Sequence, residues 1–542
     1  MFKLLQKFLQ RRKKRVLDDW RKNPDISMRE VQVRQVKLFA DLDKNLQMLT
    51  RYAGPSFDVS VRRFTAAGKS PAALVRLDGL VDSRTVEEIL RNLMVESRMI
   101  DEPGKRGEIK SAALERLLTI AEVREADNIA DLFSALSIGN IALLFDGAAQ
   151  ALLCNAKGFL TRAITEPGSE MALRGPREGF IESLRANTSL IRRRIRIPHL
   201  WIESLVIGEL TQTEVAFAYI KGLAAEKMLR EVKDRLGRIK IDGVLESGYL
   251  EEFISDTPWT LFPLAQRTER PDIVASSLLE GRVAIFTDGS PHALVVPSEI
   301  TTLLQAPDDY YEKSPAGSFI RLLRFGAILI SLLLPGIYVA VINFHQELLP
   351  TALLLRVTAA REGVPFPVIF EVLLMEILFE VLREAGIRLP AAIGPAISIV
   401  GALILGDAAI RAGLVSPAVV IVIALTAIAS FATPVFSLAI ALRILRFLFT
   451  VAGAVFGLFG VQLVLFATVI HLCSLRSFGI PYMSPLAPFI WGDMKDALTR
   501  AFWWRMRRRP KLIGGQEPQR AAPDQLPLPG RDPGERTDGE KE

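Results

Sequence analysis

The sequence predicts an α/β soluble head of two duplicated subdomains followed by an all-α polytopic transmembrane domain. Two motifs recur at nearly one offset within the first 300 residues. From Phe325 to about Leu475 the chain becomes almost continuously apolar, yet Glu371, Glu376, Glu380 and Asp407 stand inside that stretch. Composition agrees with such a division. Hydrophobic residues make up 50% and charged residues 23% of the 542 positions, and the mean hydropathy is +0.26.

The basic N-terminal segment, 1–39, opens 1-MFKLLQKFLQRRKKR-15 and has no uninterrupted apolar run. It is therefore not read as a secretory signal, and the head is expected in the cytoplasm. The first α/β subdomain is placed at 40–160 and the second at 195–305. The run 75-VRLDGLVDSRTVEEILRNL-93 matches 218-AYIKGLAAEKMLREVKDRL-236, each a short strand, a Gly-Leu turn and a helix. The run 140-NIALLFDGAAQALLCNA-156 matches 282-RVAIFTDGSPHALVVPS-298, both apolar and interrupted by Asp-Gly, the preferred dipeptide of a type I′ hairpin. Gly79 and Gly222 lie 143 positions apart, Asp146 and Asp288 lie 142 apart, and a strand at 57–64 recurs at 200–208. Between the copies, 161–194 reads as a connecting segment. Its Arg192, Arg193 and Arg194, with Arg196, suit either phosphate contacts or solvated cations. A linker at 306–318 precedes the membrane part.

The transmembrane domain is placed at 319–475, with four to six helices. Segments 326–344, 391–410, 414–432 and 451–474 are long enough for a hydrocarbon core of roughly 30 Å. Segments 366–382 and 434–449 carry charge, and 345–363 is too polar to span and reads as a re-entrant or interfacial connection. Arg321 and Arg324 before the first span, and 505-RMRRR-509 after the last, follow the positive-inside rule, so both ends are cytoplasmic and the crossings even. A basic interfacial segment at 476–510 includes Trp503 and Trp504, and a disordered tail rich in Pro, Gly and charge occupies 511–542. The basic clusters lack an aromatic-basic module, so no nucleic acid is expected; membrane lipids with anionic headgroups are, at about 1 kcal/mol per basic residue.

Catalytic motifs are absent from the sequence. Gly68-Lys69-Ser70 resembles the end of a phosphate loop, but Arg63 stands where its first glycine belongs. The four histidines are scattered without metal-site spacing, and Cys154 and Cys473 suggest neither a disulfide framework nor a metal centre. No enzyme activity, metal or other cofactor is expected. His292 reads as a surface loop residue, and His345 and His471 as span-end residues.

Two constellations remain. Gly394, Ser398, Ala402 and Gly406 recur every four residues and form a stripe of small side chains on one helix face, next to Asp407. Such a stripe permits close backbone approach, either within one protomer or around an oligomeric pore. In 365-PFPVIFEVLLMEILFEVLREAGIRLP-390, Glu376, Glu380 and Glu384 share one side of a helix, and Glu371 points elsewhere. Either this is an amphipathic interfacial helix whose carboxylates face water or pair with arginines such as Arg383 and Arg388, or they line a vestibule that attracts cations. Glu371, Glu376, Glu380, Ser398 and Asp407 are the ion-path candidates.

The runs 173-LRGPREGFIESLRANTSLIRRRIR-196, 268-TERPDIVASSLLEGRVAIFTDGSP-291, 309-DYYEKSPAGSFIRLLRF-325 and 365–390 resemble the GerA family of spore germination proteins, most closely its A subunits. The resemblance covers about residues 40–490. It implies a multi-pass protein of the spore inner membrane and a complex with a permease-like B subunit and a lipoprotein C subunit. It further implies a homo-oligomer that conducts monovalent cations once nutrient is sensed. A related branch, the stage-five sporulation A-F type, shares these runs and acts as an amplifying channel. A secondary transporter is the reading from another class, weakened because the internal repeat lies in the head.

Overall fold

The computed structural model describes residues 36–66, 70–94, 122–158, 167–168, 170, 174–388, 406–515, 518–522 and 525. Helix α1 (Leu42–Ala53) starts at Asp41, whose carboxylate accepts from the Lys44 N–H. Its Leu42, Leu46, Leu49 and Ala53 recur at helical spacing and cover one face of a sheet. That sheet contains β1 (Val59–Ala66), β2 (Ser70–Leu77), β3 (Val123–Ala126), β4 (Asn140–Phe145) and β5 (Ala151–Asn155). Helix α2 (Ser83–Met94) follows β2, and α3 (Ile129–Leu136) precedes β4. Ala73, Val75 and Leu77 pack beneath α1 and α3, while Ala72 and Leu74 pack beneath α2. Strands β2, β4 and β5 are covered on both faces and so are apolar over most of their length, without polar alternation.

The second unit contains α4 (Leu184–Arg194), β6 (Leu200–Ile207), β7 (Thr213–Ile220), α5 (Glu226–Arg238) and α6 (Ser247–Ile254). It continues with β8 (Gln266–Thr268), α7 (Pro271–Glu280), β9 (Val283–Thr287) and β10 (Ala293–Val296). The sheets run β1-β2-β4-β5-β3 and β6-β7-β9-β10-β8, the same order strand for strand. Helices are interspersed among the strands along the chain, and every strand pairing in both sheets is antiparallel.

The duplication extends to single hydrogen bonds. The Asp146 carboxylate accepts from the Leu42 N–H at 3.3 Å, and that of Asp288 from the Leu184 N–H at 3.0 Å. Asn45 closes a two-bond ring with the Phe39 backbone, and Asn187 with the Ile181 backbone. This corrects the expectation of a two-residue type I′ turn. Leu144 pairs with Ala151, so the connection is longer, and of each Asp-Gly pair only the glycine has positive φ (88° at Gly147, 84° at Gly289). The aspartates cap a helix N-terminus instead, satisfying an N–H that the helix itself leaves unpaired.

The boundary at 195 also moves. Helix α4 is the counterpart of α1 and packs Leu184, Leu190 and Ile191 into the second sheet's core with Phe180, so that unit begins near 180. Nor is Arg192 a solvated cation. It is 2% exposed and donates to both oxygens of Asp58 in the first unit, at 2.7 and 2.8 Å.

Beyond the head, α8 (Ile300–Leu304) and α9 (Asp308–Tyr311) lead into α10 (Ser314–Phe344). Then come α11 (Thr351–Arg361), α12 (Val368–Arg388), α13 (Pro417–Ser430) and α14 (Phe436–Ser474). Among the described residues, α10 and α14 are long and apolar enough to cross a membrane. Gly394, Ser398 and Ala402 lie outside the described residues, as do the N-terminal basic cluster and most of the tail.

Segments 434–449 and 451–474, expected as separate helices with a break near 450, fall within the 39 residues of α14, whose break is at Gly457 (φ 63°, ψ −148°). A straight helix of that length would extend about 58 Å. Yet Ser437 and Ile440 near its start border the same head segment, Thr260–Leu264, as His471 near its end. A Cβ at Gly460 would meet the Ala452 carbonyl at 2.2 Å. The chain therefore folds back at Gly457 into a helical hairpin, and Gly457 packs against Phe344 and His345 at the end of α10.

Helix α10 runs away from the head beside the outgoing arm of α14. Helix α12 runs back toward the head, placing Val368 and Val372 against Val339 and Ile342 and its glutamates against the middle of the outgoing arm. Helix α13 also runs toward the head, from Ser416 beside Glu371 to Ser430 beside Arg383.

The C-terminal segment then returns to the head. The Ile300 N–H donates to the Tyr482 carbonyl, and the Ser477 hydroxyl donates to that of Leu264. Residues 511–515, assigned above to a disordered tail, are seated on the second unit. Ile513 is 1% exposed, and the Gly515 N–H donates to the Leu223 carbonyl at 2.7 Å. Gly514 and Gly515 let the chain lie close to Leu223 and Ala224, a contact that composition alone does not reveal.

Candidate functional site

Besides the Arg192–Asp58 pair of the head, buried charge among the described residues gathers at the junction between head and bundle and in a seam between α12 and α14. At the junction, Arg321 is fully buried, with Nε 3.1 Å from Asp309 Oδ2 and Nη1 2.6 Å from the Asp496 carbonyl. Arg324 adds two bonds to Asp309, at 2.8 and 2.9 Å. The hydroxyl of Ser314 donates to the Arg500 carbonyl at 2.7 Å. The base of α10, the α9 turn and the C-terminal segment are thus clamped together. Arg321 and Arg324, read from the sequence as positive-inside residues before the first span, face protein because Asp309 is buried between them and must be neutralised.

In the seam, Glu371 and Glu376 are buried while Glu380 is partly exposed. Glu371 accepts from the Ser416 N–H at 2.8 Å and from Arg361 at 3.2 Å, tying α12 to α11 and α13. Glu380 accepts from Arg443 at 3.2 Å, Arg446 at 3.1 Å and Arg383 at 3.4 Å. Glu376 Oε1 lies 3.1 Å from Arg446 Nε, an ion pair by distance but without hydrogen-bond alignment, so both carboxylate oxygens lack a donor. Three guanidinium groups therefore face the two carboxylates of Glu376 and Glu380. Arg383 belongs to this group, whereas Arg388 pairs with Glu384 on the exposed side. Asp407 is exposed and pairs with Arg411, away from the other candidates. Sequence periodicity found the carboxylates but not Arg443 and Arg446, which a helical wheel of 436–450 would have placed on one side.

A close helix contact was also missed. A Cβ at Gly336 would stand 2.7 Å from the Phe449 carbonyl oxygen, and one at Gly453 only 2.3 Å from that of Gly336. Here α10 and α14 touch backbone to backbone, with Pro335 beside the contact.

In the head, burial pushes the Glu170 carboxyl up to about 7, although the Thr268 hydroxyl and Glu269 N–H favour its anion. His292 is half-buried, 3.2 Å from Glu269, and burial lowers its pKa. Glu170, Gln266, Arg270, Asp308 and Arg324 line a cavity of about 320 Å³ between the head and 431–435. No group of three or more His, Cys, Asp or Glu among the described residues is placed to hold a metal.

The family described as "Bacillus/Clostridium GerA spore germination protein" matches residues 47–512. Spore germination protein KA of Bacillus subtilis (strain 168) is 46% identical over 498 residues, 92% of this chain and 91% of that protein. The uncharacterized membrane protein YfkQ of the same strain is 44% identical, covering 89% of this chain and 93% of its own length. A crystal structure of the N-terminal domain of the A subunit of the Bacillus megaterium spore germinant receptor GerK3 is 35% identical. It covers 48% of this chain and 96% of that one, with a TM-score of 0.39.

Proposed function

The chain belongs to the GerA family of spore germination proteins, and on that premise we propose that it is the A-type membrane subunit of a germinant receptor. The observation that carries this reading is the family match spanning both head and bundle, 47–512. The proposed setting is the spore inner membrane, with the head on the cytoplasmic side. Its partners are further copies of this chain, a permease-like B subunit and a lipoprotein C subunit.

The bundle geometry supports a six-crossing topology. Helix α10 leads out, α12 and α13 return, and the two arms of α14 lead out and back; the span expected from the sequence at 391–410 is counted as the remaining outward crossing. An even count leaves both the head and the C-terminal segment on one side, as the positive-inside pattern requires. Outward side chains such as Phe456, Phe459 and Phe466 are large, apolar and exposed, which suits lipid or neighbouring subunits.

We infer further that copies assemble into a ring conducting monovalent cations in response to nutrient. Glu371 and Glu376 act in this reading as internal struts. The passage lies between copies, with Ser398, Asp407 and the partly exposed Glu380 nearest to it. Purified protein in planar bilayers, alone and with both partner subunits, provides the test. Cation current appearing only with partners and nutrient is expected. Current from the isolated chain without nutrient would favour the amplifying-channel type, and silence under every condition would sink the conducting role.

A further inference from the structure

Trp259 is 96% exposed, more than any other large apolar side chain among the described residues, and Leu261 beside it is 48% exposed. Their loop is fixed to the bundle between these tips and just after them. Between them, Thr260 Oγ1 lies 3.0 Å from His471 Nε2, three residues before the end of α14. Next to Leu261, Phe262 is buried in the bundle's own core. The returning arm of α14 exposes Phe466 (66%) and Ile470 (54%) just short of His471. Trp259 therefore stands at the level where the apolar belt of the bundle gives way to the polar head.

We propose that Trp259 and Leu261 form an interfacial anchor that inserts into the headgroup–acyl boundary of the leaflet facing the head. An indole suits that depth because its ring is apolar while its N–H still reaches water or a phosphate oxygen. Lipid is the occupant for two reasons. The tip is tied through Thr260 to His471, one residue past the exposed Ile470 of the apolar belt of α14. It is also small: an indole buries about 150–250 Å², whereas a specific protein interface needs roughly 1,200 Å² or more. Because Thr260 is tied to His471, insertion fixes the orientation of the second head unit relative to the bundle.

The inference rests on the bundle spanning a membrane, and the experiment separates the two. In full-length Cys473→Ser protein, which leaves only the buried Cys154, single cysteines replace Trp259, Leu261, Val61 or Phe466. Each is spin-labelled in vesicles of phosphatidylethanolamine and phosphatidylglycerol. Collision with oxygen reports lipid, and collision with a nickel chelate reports water. The expected result is oxygen access at 259 exceeding nickel access several-fold, with the reverse at 61 on the first sheet. Nickel access at 466 would overturn the membrane reading itself. Oxygen access at 466 with nickel access at 259 would overturn the anchor alone. Exclusion of both reagents at 259 with dipolar broadening would identify a second copy as the occupant and overturn it too. In a Trp259→Glu background the label at 261 should gain nickel access at least about twofold; an unchanged value would also count against the anchor.

Discussion

Arg192 of the second head unit grips Asp58 of the first through two hydrogen bonds of 2.7 and 2.8 Å, both side chains 2% exposed. A third bond runs from Arg192 to the Leu200 carbonyl, so one guanidinium joins α4, β6 and the loop before β1. Truncating one partner leaves the other charge buried and unpaired, a loss of about 3–5 kcal/mol. Asp58→Ala should therefore lower the unfolding midpoint of the head markedly, while Asp58→Leu with Arg192→Met recovers much of the loss. Denaturant unfolding followed by tryptophan fluorescence measures both, and a double variant as weak as the single would refute the account.

The α10–α14 contact makes a second prediction. Gly453→Ala forces a methyl group into the Gly336 carbonyl, and such overpacking typically costs about 1–3 kcal/mol. Gly326→Ala on the same α10 meets nothing within 4 Å and should be close to neutral. Thermal stability in detergent distinguishes them, and equal melting temperatures would argue that the helices do not touch there.

Within the seam, Arg446 serves both Glu376 and Glu380. Arg446→Met should destabilise the bundle by about 3–5 kcal/mol, because Glu376 then has no cationic neighbour within 4 Å among the described residues. Adding Glu376→Leu should restore part of that stability. If the glutamate instead lines an ion passage, the double variant will fold normally yet lose cation conductance, which planar-bilayer recording reads directly.

Glu170 should leave a pH signature. Its carboxyl titrates near 7 when folded, against an ordinary value of 4.5, so the folded state binds the extra proton between those limits. Stability from this group is present below about pH 4.5, declines as pH rises, and is gone above about pH 7, a swing on the order of 3 kcal/mol. Glu170→Gln should flatten that slope and be the more stable protein at pH 8. Unfolding free energies at pH 5 and 8 for the two proteins decide the matter.

The small-residue stripe calls for a comparison of substitutions. Ser398→Leu or Ala402→Leu places bulk on the stripe, whereas Ile399→Leu leaves it intact. Oligomer yield after mild detergent extraction should fall at least about threefold for the first two and stay level for the third. Equal yields would remove the stripe from the assembly surface.

The duplicated head, the apolar bundle and the family were legible in the linear chain because each leaves a local or periodic mark. Gly79 and Gly222 both adopt positive φ, 82° and 88°, at matching strand-to-helix turns, where a residue without Cβ is least strained. Continuous apolar runs over 141–145 and 283–286 record strands buried on both faces. Carboxylates within an apolar segment likewise stood out by composition alone.

What only the tertiary structure decided is pairing. Asp146 and Asp288 look like turn residues until the helix N-termini they cap, 104 positions earlier in each unit, are brought beside them. Arg192 looks solvated until Asp58 meets it, and Glu376 looks like a free charge until Arg446 arrives from another helix. Gly457 is a single glycine in an apolar run, yet its φ of 63° turns one long segment into two arms. The physical reason is common to all four. A buried charge, an unpaired N–H or a reversed chain is tolerable only with a specific neighbour, and the identity of that neighbour is a property of the folded packing.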